Sequence, residues 1–153
     1  MPADPESVVA RPRPTPYPDV NEVLGYFLSS IETILAPRFL GMYLSGSLAL
    51  GDFAPRRSDI DFVVMTDAEL PEDLFSSLRA MHARFNVGDS PWATEVEAVY
   101  IARKALRRHD PRQAIWPHIQ RGKSNVLEMD LLDSGWVIQR HILREQGVVL
   151  AGP

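Results

Sequence analysis

Between Tyr43 and Val64 the chain reads YLSGSLALGDFAPRRSDIDFVV, a Gly-Ser pair, a basic loop and two alternating aspartates set between apolar runs. Gly46 lets the backbone turn tightly after an apolar segment, and Ser47 offers a hydroxyl and a backbone N–H at the start of a short helical turn, a seat for an anion. Downstream, Asp59, Ile60 and Asp61 open a second apolar run. The two-residue period of a strand puts both carboxylates on one face and Ile60 on the other. Two hard oxygen donors on one face suit Mg²⁺, and a divalent ion there would bridge to phosphate held at the Gly-Ser turn, the arrangement phosphoryl or nucleotidyl transfer requires. An Asp-x-Asp alone is weak evidence, since it also occurs on solvated strands; the Gly-Ser pair at this spacing is what makes it specific.

The pattern Gly46-Ser47-x-Ala49-x-Gly51 followed by Ser58-Asp59-Ile60-Asp61-Phe62 resembles the signature of the DNA polymerase β-like nucleotidyltransferase superfamily. Within it the chain is most similar to the N-terminal domain of the streptomycin and spectinomycin adenylyltransferases. That similarity extends to Glu97-Ala98-Val99-Tyr100-Ile101 and to the stretch from His141 to Leu150. The resemblance implies an α/β (α+β) fold, a small mixed β-sheet flanked by helices. It also implies transfer of AMP from ATP to a hydroxyl of an aminoglycoside-type acceptor, with release of pyrophosphate. Asp59 and Asp61 would hold Mg²⁺, with two ions expected, a third carboxylate would complete the metal site or take the acceptor's proton, and Gly46, Ser47, Arg57 and Ser58 would contact the nucleotide. For the third carboxylate the resemblance points to Glu97, with Glu95, on the same face of the same expected strand, as the alternative. That both glutamates lie on the solvent side of an edge strand stays open.

Composition sets the outer limits. A chain of 153 residues with 45% hydrophobic and 24% charged content is that of an ordinary globular domain with a modest core. The net charge of −4 argues weakly against nucleic acid as the main partner, and a net acidic surface would attract the cationic aminoglycoside that the resemblance implies. With no cysteine, thiolate catalysis and thiolate metal sites are excluded. No apolar run approaches the ~20 residues of a membrane span, and the start is proline-rich instead of signal-like, so a cytoplasmic enzyme is expected.

Around the motif the expected elements follow from periodicity. Residues 1–18, rich in proline, read as a flexible tail, and residues 19–153 as the nucleotidyltransferase domain. Val20, Val23, Leu24, Phe27, Leu28, Ile31 and Leu35 form a helical stripe with Asp19 as a candidate N-cap, ended by Pro37. Strands are expected over 39–45, 60–65 and 94–101. Helices are expected over 69–85, 102–108 and 135–146, the last with Ser134 as cap and Gly147 as stop. Residues 109–124, with Pro111 and Pro117, show no period and read as loop. Asp52 reads as a cap of the turn after Ser45, and Arg56 and Arg57 as loop arginines of which at least one is solvated. Trp92, Trp116 and Trp136 read as core or interface, and the four histidines, scattered without ligand spacing, as outside the site.

The adenylyltransferases that the chain resembles carry a helical C-terminal domain beyond the Gly-Val-Val-Leu segment, so the sequence corresponds by resemblance to their first domain, and a helical partner domain or subunit is expected. Two other readings share the signature: a stand-alone nucleotidyltransferase of a toxin–antitoxin pair acting on a protein partner, and a non-catalytic nucleotide-binding module.

Overall fold

All seven stripe residues between Val20 and Leu35 lie in one helix, α1 (Pro18–Leu35), and all but Leu28 are buried. Its start differs from expectation. Tyr17 is the N-cap residue and makes no side-chain cap, with Pro18 preset for the first turn. Asp19 instead accepts a hydrogen bond from Trp92 Nε1 at 3.1 Å. The approach to the helix is fixed by Thr15, whose N–H donates to Asn21 Oδ1 at 3.0 Å while Asn21 Nδ2 donates to Thr15 O at 2.8 Å.

A short 3₁₀ turn at Ala36–Arg38 reverses the chain into β1 (Phe39–Leu44), followed by a helical turn α2 (Gly46–Leu50), β2 (Ile60–Thr66) and α3 (Glu72–Asn86). Then come β3 (Val96–Ala102), α4 (Arg103–Arg107), β4 (Ile115–Ile119), β5 (Glu128–Leu131) and β6 (Val148–Ala151). This computed structural model describes residues 14–50, 54, 59–108, 110, 112, 114–120, 125–132, 136, 139–140, 143–144 and 147–152. The expected tail residues 1–13, Asp52, Arg56, Arg57, Ser58, Ser134 and Gly135 lie outside them. Of the expected last helix, the described residues 136, 139, 140, 143 and 144 are all helical.

The strands form one mixed sheet in the order β5-β4-β3-β2-β1-β6. β2 and β3 run parallel, pairing Asp61 with Glu97 and Val63 with Val99, and every other neighbouring pair is antiparallel. The sequence reading of 109–124 as loop is corrected by β4, which crosses that stretch with Pro117 buried inside it; β5, in a segment the sequence left unassigned, pairs with it from His118↔Glu128 to Ile115↔Leu131.

Strand alternation divides the core in two. Ile60, Phe62, Val64, Ala98, Tyr100 and Ile119 face α1 and α3, whose Phe27, Ile31, Leu78 and Met81 close the larger layer. Val63, Val99 and Ile101 face the other way, against Trp116, Leu132, Trp136, α4 and Leu143. Arg140 fastens the last helical stretch to the end of α4: its Nε donates to Leu106 O at 2.5 Å and its Nη2 to Arg107 O. The sheet is thus covered on both sides, which is why every position of β2 is buried, Asp61 among them. Among the described residues, no helix is long and apolar enough to cross a membrane.

Candidate active site

Asp61 is the second residue of the central strand β2, and its partner in the parallel register of β3 is Glu97. Both side chains leave the sheet on the face opposite Ile60 and Ala98. Asp59 precedes the strand. The three carboxylates come together: ligand oxygens of Asp59, Asp61 and Glu97 all lie within 4.8 Å of one another. Glu95 does not join them. It stands before the strand begins, and its carbonyl accepts the Ile60 N–H at 2.8 Å, closing the start of the β2–β3 ladder.

The turn after β1 explains why a glycine stands at position 46. Gly46 has φ +60°, and a Cβ built on it would fall 2.0 Å from Asp61 Oδ2. Any side chain here would meet a left-handed backbone and the carboxylate at once. Ser45, fully buried, donates its N–H to Asp61 O at 3.0 Å and accepts at its hydroxyl from Gln139 Nε2 at 3.1 Å. The turn is therefore pinned to β2 on one side and to the last helical stretch on the other. Gln139 carries no periodic or motif signal, and its role appears only once the chain has closed on itself.

Electrostatically the site is under load. Burial, with Asp59 and then Glu97 beside it, pushes the Asp61 carboxyl up to about 10 from 3.8. Such a group holds a proton at neutral pH unless a cation replaces it. Asp61 Oδ1 and the Ser47 hydroxyl are among the buried side-chain atoms of the described residues that have no hydrogen-bond partner. Buried polar atoms are normally satisfied, so these two point to ligand atoms the protein does not itself supply. Three carboxylates with an orphaned oxygen among them fit a hard divalent cation, as Mg²⁺ demands.

His118 was set aside with the other histidines on sequence grounds, yet the structure places it at the edge of this cluster. Its Nε2 is 3.9 Å from Glu97 Oε1 and its Nδ1 is 3.7 Å from Asp130 Oδ2. No spacing signal announces this, because the contact arises from the pairing of β4 with β3 and β5. His82, by contrast, belongs to the core, where its Nε2 lies 2.7 Å from the Tyr100 hydroxyl and burial lowers its pKa to about 3. Trp92, Trp116 and Trp136 are all buried, so none offers an open ring at the cluster.

A carboxylate trio at the start of two neighbouring central strands stands beside a Gly-Ser turn, and the sequence profile of the nucleotidyltransferase domain matches residues 28–136. The chain belongs to that family. No curated protein sequence matches it. Among solved structures, its fold is similar to that of the spectinomycin adenyltransferase AAD(9) from Enterococcus faecialis, solved with ATP and spectinomycin. The TM-score is 0.66 and the identity 16%, over 86% of this chain and 55% of that one. A toxin-antitoxin structure with AMP-PNP aligns more loosely, at TM-score 0.38 and 17% identity over 88% of this chain and 73% of that one. The first likeness establishes the fold; the chain spans about half the length of AAD(9), at 55%.

Proposed function

We propose that this domain transfers AMP from ATP to a hydroxyl of an aminoglycoside-type acceptor. The observation that carries the reading is the meeting of Asp59, Asp61 and Glu97 within 4.8 Å beside the Gly46 turn. Asp59 and Asp61, with Glu97 closing the set, are the residues that would hold Mg²⁺. Bound there, the ion supplies neutralisation of the triphosphate charge and polarisation at the α-phosphorus.

The chain's own residues do the rest. Gly46 and Ser47 receive the outer phosphates, with the orphaned Ser47 hydroxyl as donor, and Arg57 and Ser58 are the further candidates for nucleotide contact. Glu97 takes the proton of the acceptor hydroxyl. The acceptor oxygen then bonds to the α-phosphorus, the bond to the bridging oxygen breaks, and pyrophosphate leaves with its electron pair. Positioning supplies most of what this chemistry asks of a protein, so a rigid sheet with few functional side chains suffices.

A cationic acceptor is supported by the acidity of the same face, where Glu97 and Asp130 flank His118, and by a net charge of −4. The similarity to AAD(9), solved with ATP and spectinomycin, supports the same acceptor class. The test is transfer of label from [α-³²P]ATP to streptomycin, spectinomycin or total protein in the presence of Mg²⁺. Label on an antibiotic that disappears with Glu97→Gln supports the reading. Label on protein alone overturns the acceptor and makes the domain a protein-modifying nucleotidyltransferase.

A further inference from the structure

We propose that His118 is the positioning residue for Glu97, held in turn by Asp130, so that the three-carboxylate cluster depends on a side chain from β4. The inference rests on the reading of Asp59, Asp61 and Glu97 as a cation-holding set.

Register places the residues. β4 pairs antiparallel with β3 through Val99↔His118, and β5 pairs with β4 through Trp116↔Asp130. Paired residues share a face, and Glu97 is on that face two residues before Val99. His118 therefore stands diagonally across from Glu97, a separation long side chains bridge. Its ring is enclosed, with the side chain 13% exposed, and each nitrogen faces a different carboxylate, Glu97 at 3.9 Å and Asp130 at 3.7 Å.

Glu97 needs such a neighbour. Its side chain has three rotatable bonds and is 24% exposed, and Asp59 brings a further carboxylate into the same cluster. A histidine ring has only two torsions and is set here on a strand paired on both sides. With Nε2 3.9 Å from Oε1, the ring limits by its bulk the directions the Glu97 carboxylate can take, and Asp130, 3.7 Å from Nδ1, limits how the ring can turn. Partners behind a ligating carboxylate commonly change metal affinity or activity by about 10–100-fold when removed.

The two ends of the ring allow a test that a merely structural histidine would fail. Glutamine keeps an amide near the Nε2 position, toward Glu97; asparagine keeps one near Nδ1, toward Asp130. Mn²⁺ binding to the full chain, read by electron paramagnetic resonance, is compared for wild type, His118→Ala, His118→Gln and His118→Asn. We expect His118→Ala and His118→Asn to bind about tenfold more weakly, and His118→Gln to recover most of the loss. In nucleotidyl transfer the same variants should lower kcat and leave KM for ATP nearly unchanged. Wild-type affinity in His118→Ala, or equal weakness in the glutamine and asparagine variants, overturns the proposal. Should the alanine variant unfold, the glutamine–asparagine comparison still decides. A folded wild-type chain that binds no Mn²⁺ overturns the carboxylate reading itself, and this inference with it.

Discussion

Replacing Asp61 with asparagine should stabilise the cation-free protein, although it removes a buried residue of the central strand. Asp61 is 8% exposed, and its carboxyl titrates at about 10 in place of 3.8. The sign follows from proton counting. Between those values the native chain holds a proton that the unfolded chain has released, so stability is full below the lower value and declines as pH rises toward the upper one. At pH 8 about four units of that interval have been crossed. At about 1.4 kcal/mol per unit the ceiling is about 6 kcal/mol. Rotation of Glu97 toward solvent and entry of water relax the charge, leaving about 2 kcal/mol. Asparagine keeps the shape of the neutral acid without the ionisation. For a chain of this size, 2 kcal/mol corresponds to a Tm rise of about 4–8 °C. The assay is calorimetric unfolding from pH 6 to pH 9 in EDTA, repeated with Mg²⁺. Wild type should lose Tm across the range and regain it with Mg²⁺; Asp61→Asn should do neither. An asparagine variant less stable than wild type at pH 8 would refute the reasoning, because the carboxylate would then be a structural partner and not a charge kept for a cation.

Other outcomes follow from single contacts. Gly46→Ala sets a Cβ 2.0 Å from Asp61 Oδ2 at φ +60°, so it should cost at least about 1–2 kcal/mol and abolish Mn²⁺ binding; denaturant melts and metal titration check both. Tyr100→Phe removes the hydroxyl 2.7 Å from His82 Nε2 and leaves a buried ring nitrogen unpaired, a loss of about 1–3 kcal/mol in chemical unfolding. His82 itself should give the protein an acid limb. Its pKa falls from 6.5 to about 3 on folding, so the unfolded chain takes up a proton the native one refuses, and stability drops as pH falls through that window. His82→Gln should flatten that limb, as measured by Tm between pH 6.5 and pH 4.

How much of this was legible beforehand depended on whether the signal was local. The stripe of α1, the apolar run of β2 and the alternating run of β3 are each patterned by the layer they pack against, so periodicity finds them. Asp59 and Asp61 stood out because they alternate at the start of an apolar run at a specific spacing from the Gly-Ser pair, and Glu97 because it matched a known pattern. β4 was hidden by Pro117, which argues against a strand in sequence yet sits buried between β3 and β5 here. β5, with residues EMDL, is too short and too charged to read as a strand without its partner. With β4 read as loop and β5 unassigned, His118 could not be placed beside Glu97, nor Asp130 behind it. Ser45 and Gln139 were invisible for the same reason: 94 positions separate them, and only the closed fold makes them neighbours.

The proposed function requires a live, cation-dependent nucleotide site built from Asp59, Asp61 and Glu97. Its most direct test is a calorimetric titration of the 153-residue chain with MgATP, run beside EDTA and Asp61→Asn controls. Saturable binding that both controls abolish is the predicted result. MgATP binding that persists in Asp61→Asn, or folded wild-type protein that binds none, would contradict it.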